Sequence, residues 1–140
     1  MLREYLSLIT HFVSDEMTAS EFEREYLKLW RQDRDVHRLT PEDQAIENTW
    51  YMQFKTGEMS EAEYRTRFRS LHEKYYVNSD LQPFSDEQEI INELFYDVDA
   101  YVGDPNLFEE GDFGADELRE AARKALDQLT ALQTERDKSA

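Results

Sequence analysis

The 140-residue sequence has no cysteine, three prolines and four glycines. Without cysteine there is no disulfide framework, no thiolate nucleophile and no zinc-cysteine site, so a reducing compartment suits the chain. The glycines stand at 57, 103, 111 and 114 and none is followed by lysine, which excludes a glycine-rich phosphate loop. Long apolar runs are also missing. No stretch approaches the roughly 20 apolar residues that cross a bilayer, and the start, MLREYLSLITHFVSDE, meets charge too early for an export signal. The expectation is a soluble protein of the cytoplasm. Basic residues are few: 16 Lys and Arg stand against 32 Asp and Glu, a net charge of −16. Neither nucleic acid nor an anionic membrane is a partner for such a chain, because both demand clustered cations. A basic protein is.

The residues present are those of a folding chain. Aromatics make up 13% of the sequence, whereas disordered acidic chains are poor in them and cannot offset the entropy of ordering. The length fits one domain spanning 1–140. Four helix starts are legible. Thr18-Ala-Ser-Glu21, Ser60-Glu-Ala-Glu63 and Ser85-Asp-Glu-Gln88 have capping-box spacing, and Thr40-Pro41 places proline at a first helical position. Apolar residues then recur at helical intervals, as in Phe22, Tyr26, Leu29, Trp30 and in Tyr64, Phe68, Leu71, Tyr75. Leu2, Tyr5, Leu6, Ile9 and Phe12 mark a helix before these, and Ile46, Trp50 and Phe54 one between them. Ile90 to Tyr101 and Leu118 to Leu132 mark two more, with a frayed polar end over 133–140. The two-heptad stripe of the last helix reads as intramolecular core, being too short for a coiled coil. The fold class is therefore all-α, a bundle of about six helices.

A repeat lies inside this pattern. At an offset of 42 residues Phe12, Glu16, Met17, Thr18, Glu21, Phe22, Tyr26 and Leu29 match Phe54, Glu58, Met59, Ser60, Glu63, Tyr64, Phe68 and Leu71. The copies, about 12–30 and 54–72, describe one helical hairpin used twice.

The acidity is regional. From Tyr75 to Leu118 there are 13 acids and no Lys, Arg or His, while the other 96 residues carry a net charge of only −3. Like charge packed this densely opposes the compact state. A solvated face would explain the acids alone, but Tyr96, Tyr101, Leu107, Phe108 and Phe113 are interleaved with them. Aromatic anchors beside carboxylates suit an interface that steers a basic partner and fixes its orientation.

Catalytic and metal readings fail on spacing. Counted from Asp97, a calcium loop would need Gly at its sixth position and Glu at its twelfth, and these are Val102 and Phe108. His11, His37 and His72 lack a zinc-helix partner, so surface or half-buried structural roles are expected. No nucleophile motif is present. The chain reads as a binder without enzyme activity, metal or cofactor.

Two segments resemble the bacterial self-protective colicin-like immunity family: FVSDEMTASEFEREYLKLWRQDRD from Phe12 to Asp35, and DEQEIINELFYDVDAYVGDPNL from Asp86, followed by ADELREAARKALDQL. The second carries Leu-Phe-x-x-Val-Asp-x-Tyr, then Asp-Pro-x-Leu, an acidic loop and a closing helix. The stretch from about Arg38 to Tyr76 looks inserted between these halves. The resemblance implies an inhibitor of a cognate toxin domain with a basic surface, of the kind found with nuclease bacteriocins such as colicin D and in contact-dependent growth inhibition. Its job would be to block a tRNA-cleaving nuclease. The partner-binding residues carried over by position are Asp97, Asp99, Tyr101 and Asp104, with the loop acids Glu109, Glu110, Asp112, Asp116 and Glu117 following them. An acidic helical adaptor with no toxin partner is the alternative.

Overall fold

The structure is a computed structural model that describes residues 1–103, 105–107 and 113–139. Six helices follow in order: α1 (Leu2–Val13), α2 (Ala19–Val36), α3 (Pro41–Lys55), α4 (Glu61–His72), α5 (Asp86–Asp99) and α6 (Ala115–Ser139). Among the described residues there are also short 3-10 turns at Glu73–Tyr75 and Pro105–Leu107 and one parallel bridge between Tyr101 and Phe113. The all-helical expectation holds.

The four starts form for the reasons their sequences give. The side chains of Thr18, Thr40, Ser60 and Ser85 each accept a hydrogen bond from the backbone N–H three residues on, satisfying a donor the helix leaves free. Only Thr18 closes the reciprocal box, with its own N–H donating to Glu21 at 3.1 Å. Glu63 turns instead to Arg67, at 2.7 Å, and Gln88 to Asn92, at 2.8 Å.

Both hairpin turns are built alike. In the first, Asp15 and Glu16 donate their N–H groups back to Phe12 and His11; in the second, Gly57 and Glu58 donate to Phe54 and Gln53. This is the paired bonding of a Schellman turn. Its left-handed residue is Asp15 (φ 62°) in one copy and Gly57 (φ 83°) in the other. The ring packing repeats as well. Phe12 stacks on Phe22 with centroids 4.3 Å apart, and Phe54 on Tyr64 at 5.2 Å.

α1, α2, α5 and α6 pack side by side in a closed ring around one core. Tyr5, Ile9, Phe12, Phe22, Tyr26, Ile91, Val98, Leu118 and Ala122 are fully buried there, together with Leu81 from the connection between α4 and α5. Fully burying one large apolar side chain contributes about 1.5–3 kcal/mol, which makes this cluster the main source of stability. The Tyr26 hydroxyl donates to the Ile91 carbonyl at 2.6 Å, so its polar end is satisfied inside the core. The expected intramolecular role of the α6 stripe is what the structure shows.

α3 and α4 stand apart from this ring and pack on each other. α3 buries no residue, and Ile46, Tyr51 and Met52 are exposed. The stripe read from Ile46, Trp50 and Phe54 marks the helix correctly and gives it no buried face.

Two further expectations need adjusting. α6 does not fray after Leu132 but runs to Ser139, because Arg136 reaches the buried carboxylate of Glu87 on α5 and the intervening residues are good helix formers. His72, expected in a surface or half-buried structural role, is buried, at 5% exposed, with neither ring nitrogen hydrogen-bonded.

Candidate partner-binding surface

α5 and α6 present the acidic half of the chain. Burial of Ile91, Leu94 and Val98 fixes the rotation of α5, and burial of Leu118, Ala122, Ala125 and Leu129 fixes that of α6. Residues on the flanks of these stripes then face a shared groove. Its volume is about 730 Å³; Ile90, Leu94, Phe113, Ala121 and Ala125 form its apolar lining, and Glu93, Asp97, Asp116, Glu117 and Glu120 line it with charge. Lys124 is the one cation among the lining residues. The small side chains Ala121 and Ala125 leave the space that larger residues would fill.

Five carboxylates and one ammonium line the groove and leave it negative, although Glu120 pairs with Arg123 and Asp116 lies 4.0 Å from Arg119 at its edge. The Asp97 carboxyl is held above its ordinary range, first by partial burial and then by the neighbouring Glu93, against a smaller opposing pull from Lys124. An incoming cation would counter the repulsion and offset the cost of burial by its attraction. The apolar lining suits the aliphatic stem of a Lys or Arg, or an apolar anchor beside one.

The sequence-predicted residues divide. Asp97, Asp116 and Glu117 line the groove. Glu117 also accepts the Gly114 N–H at 3.1 Å, so it caps the start of α6 as well. Asp116 is almost wholly exposed, 4.0 Å from Arg119. Asp99 and Tyr101 are not among the groove-lining residues. Asp99 lies near α2, where its charge adds to burial in raising the Glu23 carboxyl. The Tyr101 hydroxyl is 3.1 Å from the Ser20 hydroxyl, and backbone bonds at 2.8 and 2.9 Å tie residues 100–102 to Phe113. That places Tyr101 in the closure of the loop. Asp104, Glu109, Glu110 and Asp112 lie outside the described residues, as does Phe108. Of the interleaved apolar residues, Tyr96 and Leu107 are exposed and Phe113 is half-buried.

Glu93, Glu120 and Lys124 also line the groove and are not among the sequence-predicted residues. Their signal was helical spacing: Glu93 and Asp97, Asp116 and Glu120, and Glu120 and Lys124 are each four apart and share a helix face. Only the pairing of α5 with α6 brings these faces together. Among the described residues no group of three or more His, Asp or Glu side chains is placed to hold a metal ion.

The family model for bacterial self-protective colicin-like immunity matches residues 1–50 and 51–129. The chain belongs to this family. Immunity proteins of this kind bind and neutralise a toxin, in general as inhibitors without enzyme activity of their own, and binding a cognate toxin is the function that membership carries. The two matched stretches meet inside α3, so the segment from Arg38 to Tyr76, expected as an insertion, lies within the matched residues. No curated protein and no solved structure matches the chain. No helix among the described residues is long and apolar enough to cross a membrane.

Proposed function

We propose that this colicin-like immunity protein neutralises a nuclease toxin domain, one that cleaves tRNA, by seating the toxin's basic surface in the α5–α6 groove. The observation that carries the reading is the convergence of Glu93, Asp97, Asp116, Glu117 and Glu120 on one apolar-lined groove with a single cation. A nuclease must gather cations where phosphates bind, so a carboxylate array matches it in charge and speeds encounter. The apolar lining would supply the slow dissociation that charge alone does not give. Binding of this kind is stoichiometric and takes place in the cytosol, where tRNA is found and where a cysteine-free chain is at ease. A toxin delivered by a contact-dependent system or as a bacteriocin would meet the same surface.

Co-expression with the C-terminal domain of the toxin encoded beside the gene tests this directly, scoring host growth and intact tRNA. Rescue of both only when the immunity protein is present supports the reading. A toxin that kills with tRNA intact would remove the nuclease from it, and a harmless neighbour would favour an adaptor without a toxin.

A further inference from the structure

The α3–α4 hairpin meets the bundle through a chain of aromatic rings. Phe68 stacks on His72 at 3.8 Å, His72 lies 5.9 Å from Tyr76, and Tyr76 stacks on His37 at the end of α2, with centroids 3.9 Å apart and planes 7° from parallel. Phe84 enters from the bundle side, its ring 4.9 Å from Phe68 and under the guanidinium of Arg65 at 4.8 Å. Its backbone has φ 62°, a left-handed conformation that a phenylalanine adopts only when surrounding contacts hold it there. A cleft of about 300 Å³ lined by Trp30, Phe68, Tyr76 and Phe84 runs along the same seam. The joint is thus held by a few ring contacts and by an ion pair between Arg65 and Glu89 at 3.6 Å, and lacks a continuous core.

His72 is the one residue of this chain of rings that is buried without a hydrogen bond at either nitrogen. The charged groups facing it are already engaged. From α3, Glu47 accepts the Tyr64 hydroxyl at 2.5 Å, and Asp43 accepts the Tyr75 hydroxyl and pairs with Lys74, both at 2.7 Å. From α2, His37 sits beside Asp33 at 3.2 Å and its own charge would repel a second imidazolium. From the turn after α4, Tyr75 and Tyr76 present ring carbon.

We propose that His72 is a proton-sensitive latch: kept neutral it holds the α3–α4 hairpin on the bundle, and its protonation releases the hairpin while the four-helix ring stays folded. Burial depresses the imidazole below its ordinary 6.5, and this outweighs the attraction of Glu47 and Asp43. A released His72 would take up a proton near 6.5, whereas the docked one resists until a lower pH. Docking is therefore unaffected above 6.5 and weakens as pH falls below it, by up to about tenfold per pH unit for one proton, until the docked value is reached.

The test is an NMR titration of the whole chain from pH 7.5 to 4.5, following the rings of Tyr76 and Phe84 at the seam, the methyl groups of Ile91 and Val98 in the core of the four-helix ring, and the His72 ring. The latch predicts that the Tyr76 and Phe84 signals move to a new state with a midpoint below 6.5, together with His72, while Ile91 and Val98 keep their native positions. In His72→Phe the seam transition should vanish over this range. Joint loss of the seam and core signals, no transition at all, or a transition that survives in His72→Phe would each overturn it. Should His72→Phe not fold, His72→Gln, neutral at every pH, gives the same comparison.

Discussion

The two hairpins share a sequence code and differ in what they bury. Their turns make the same hydrogen bonds and their Phe12–Phe22 and Phe54–Tyr64 stacks are alike, yet α1 sends Tyr5, Leu8, Ile9 and Phe12 into the core while α3 buries nothing. The offset of 42 explains this. Where α1 has Leu2, Tyr5 and Leu6, α3 has Gln44, Glu47 and Asn48, while Leu8 and Ile9 are matched by Trp50 and Tyr51. The repeat preserves the turn and the rings near it, and loses the apolar residues of the first two turns of the first helix. A shared local motif therefore specifies the hairpin; the flanking stripe decides whether the hairpin becomes core. Outside the four-helix core, the second hairpin is the part that the proposed latch would release.

The comparison breaks most easily at the matched rings. Phe12→Ala should cost about 3–5 kcal/mol as a core truncation, whereas Phe54→Ala, half-buried in the hairpin, should cost about 1–2 kcal/mol. Urea unfolding of the two variants checks this, and equal losses would mean that the hairpin is as much a part of the core as α1. Next comes the end of α6. Arg136→Ala leaves the buried Glu87 carboxylate without its partner and should cost about 1–2 kcal/mol. The last turns of α6 should then lose amide protection, read by hydrogen exchange.

Gly57→Ala probes the turn alone, since a Cβ there meets nothing within 4 Å and only the left-handed backbone opposes it. A cost of about 1 kcal/mol is expected from thermal unfolding. A smaller effect of opposite sign is expected at the groove. Asp97→Asn removes a carboxylate raised by burial and by Glu93, so the free protein should gain about 0.5 kcal/mol. That gain should be present at neutral pH and shrink as pH falls and the wild-type Asp97 becomes protonated, because its folded value lies above its unfolded one. Binding to the toxin should weaken at the same time, the pattern of a residue kept for recognition at some cost to stability.

Much of the fold was legible because its signals are local. Thr18, Thr40, Ser60 and Ser85 announce their helices, and the stripe of Leu118, Ala122, Ala125 and Leu129 announces the buried face of α6. What was not legible depends on which helices meet. Glu93 and Glu120 join Asp97 only once α5 lies against α6, and Asp99, two residues from Asp97, is carried toward α2 by the 100° advance per residue of a helix. Sequence proximity grouped Asp97, Asp99 and Tyr101; helix geometry separates them. The burial of His72 was hidden for the same reason, since its neighbours come from α2, α3 and the turn after α4.

The most direct test compares two charge reversals in the growth-protection and binding assay with the cognate toxin domain. Glu93→Lys with Glu120→Lys places two cations on the groove, and Asp99→Lys places one on the same helix but away from the groove. If the α5–α6 groove is the toxin-binding surface, the first variant stays helical, loses protection and slows association by at least about tenfold with a reduced salt dependence, while the second protects like the wild type. Protection retained by the groove variant and lost in Asp99→Lys would contradict the account and move the interface to the α2 side of α5.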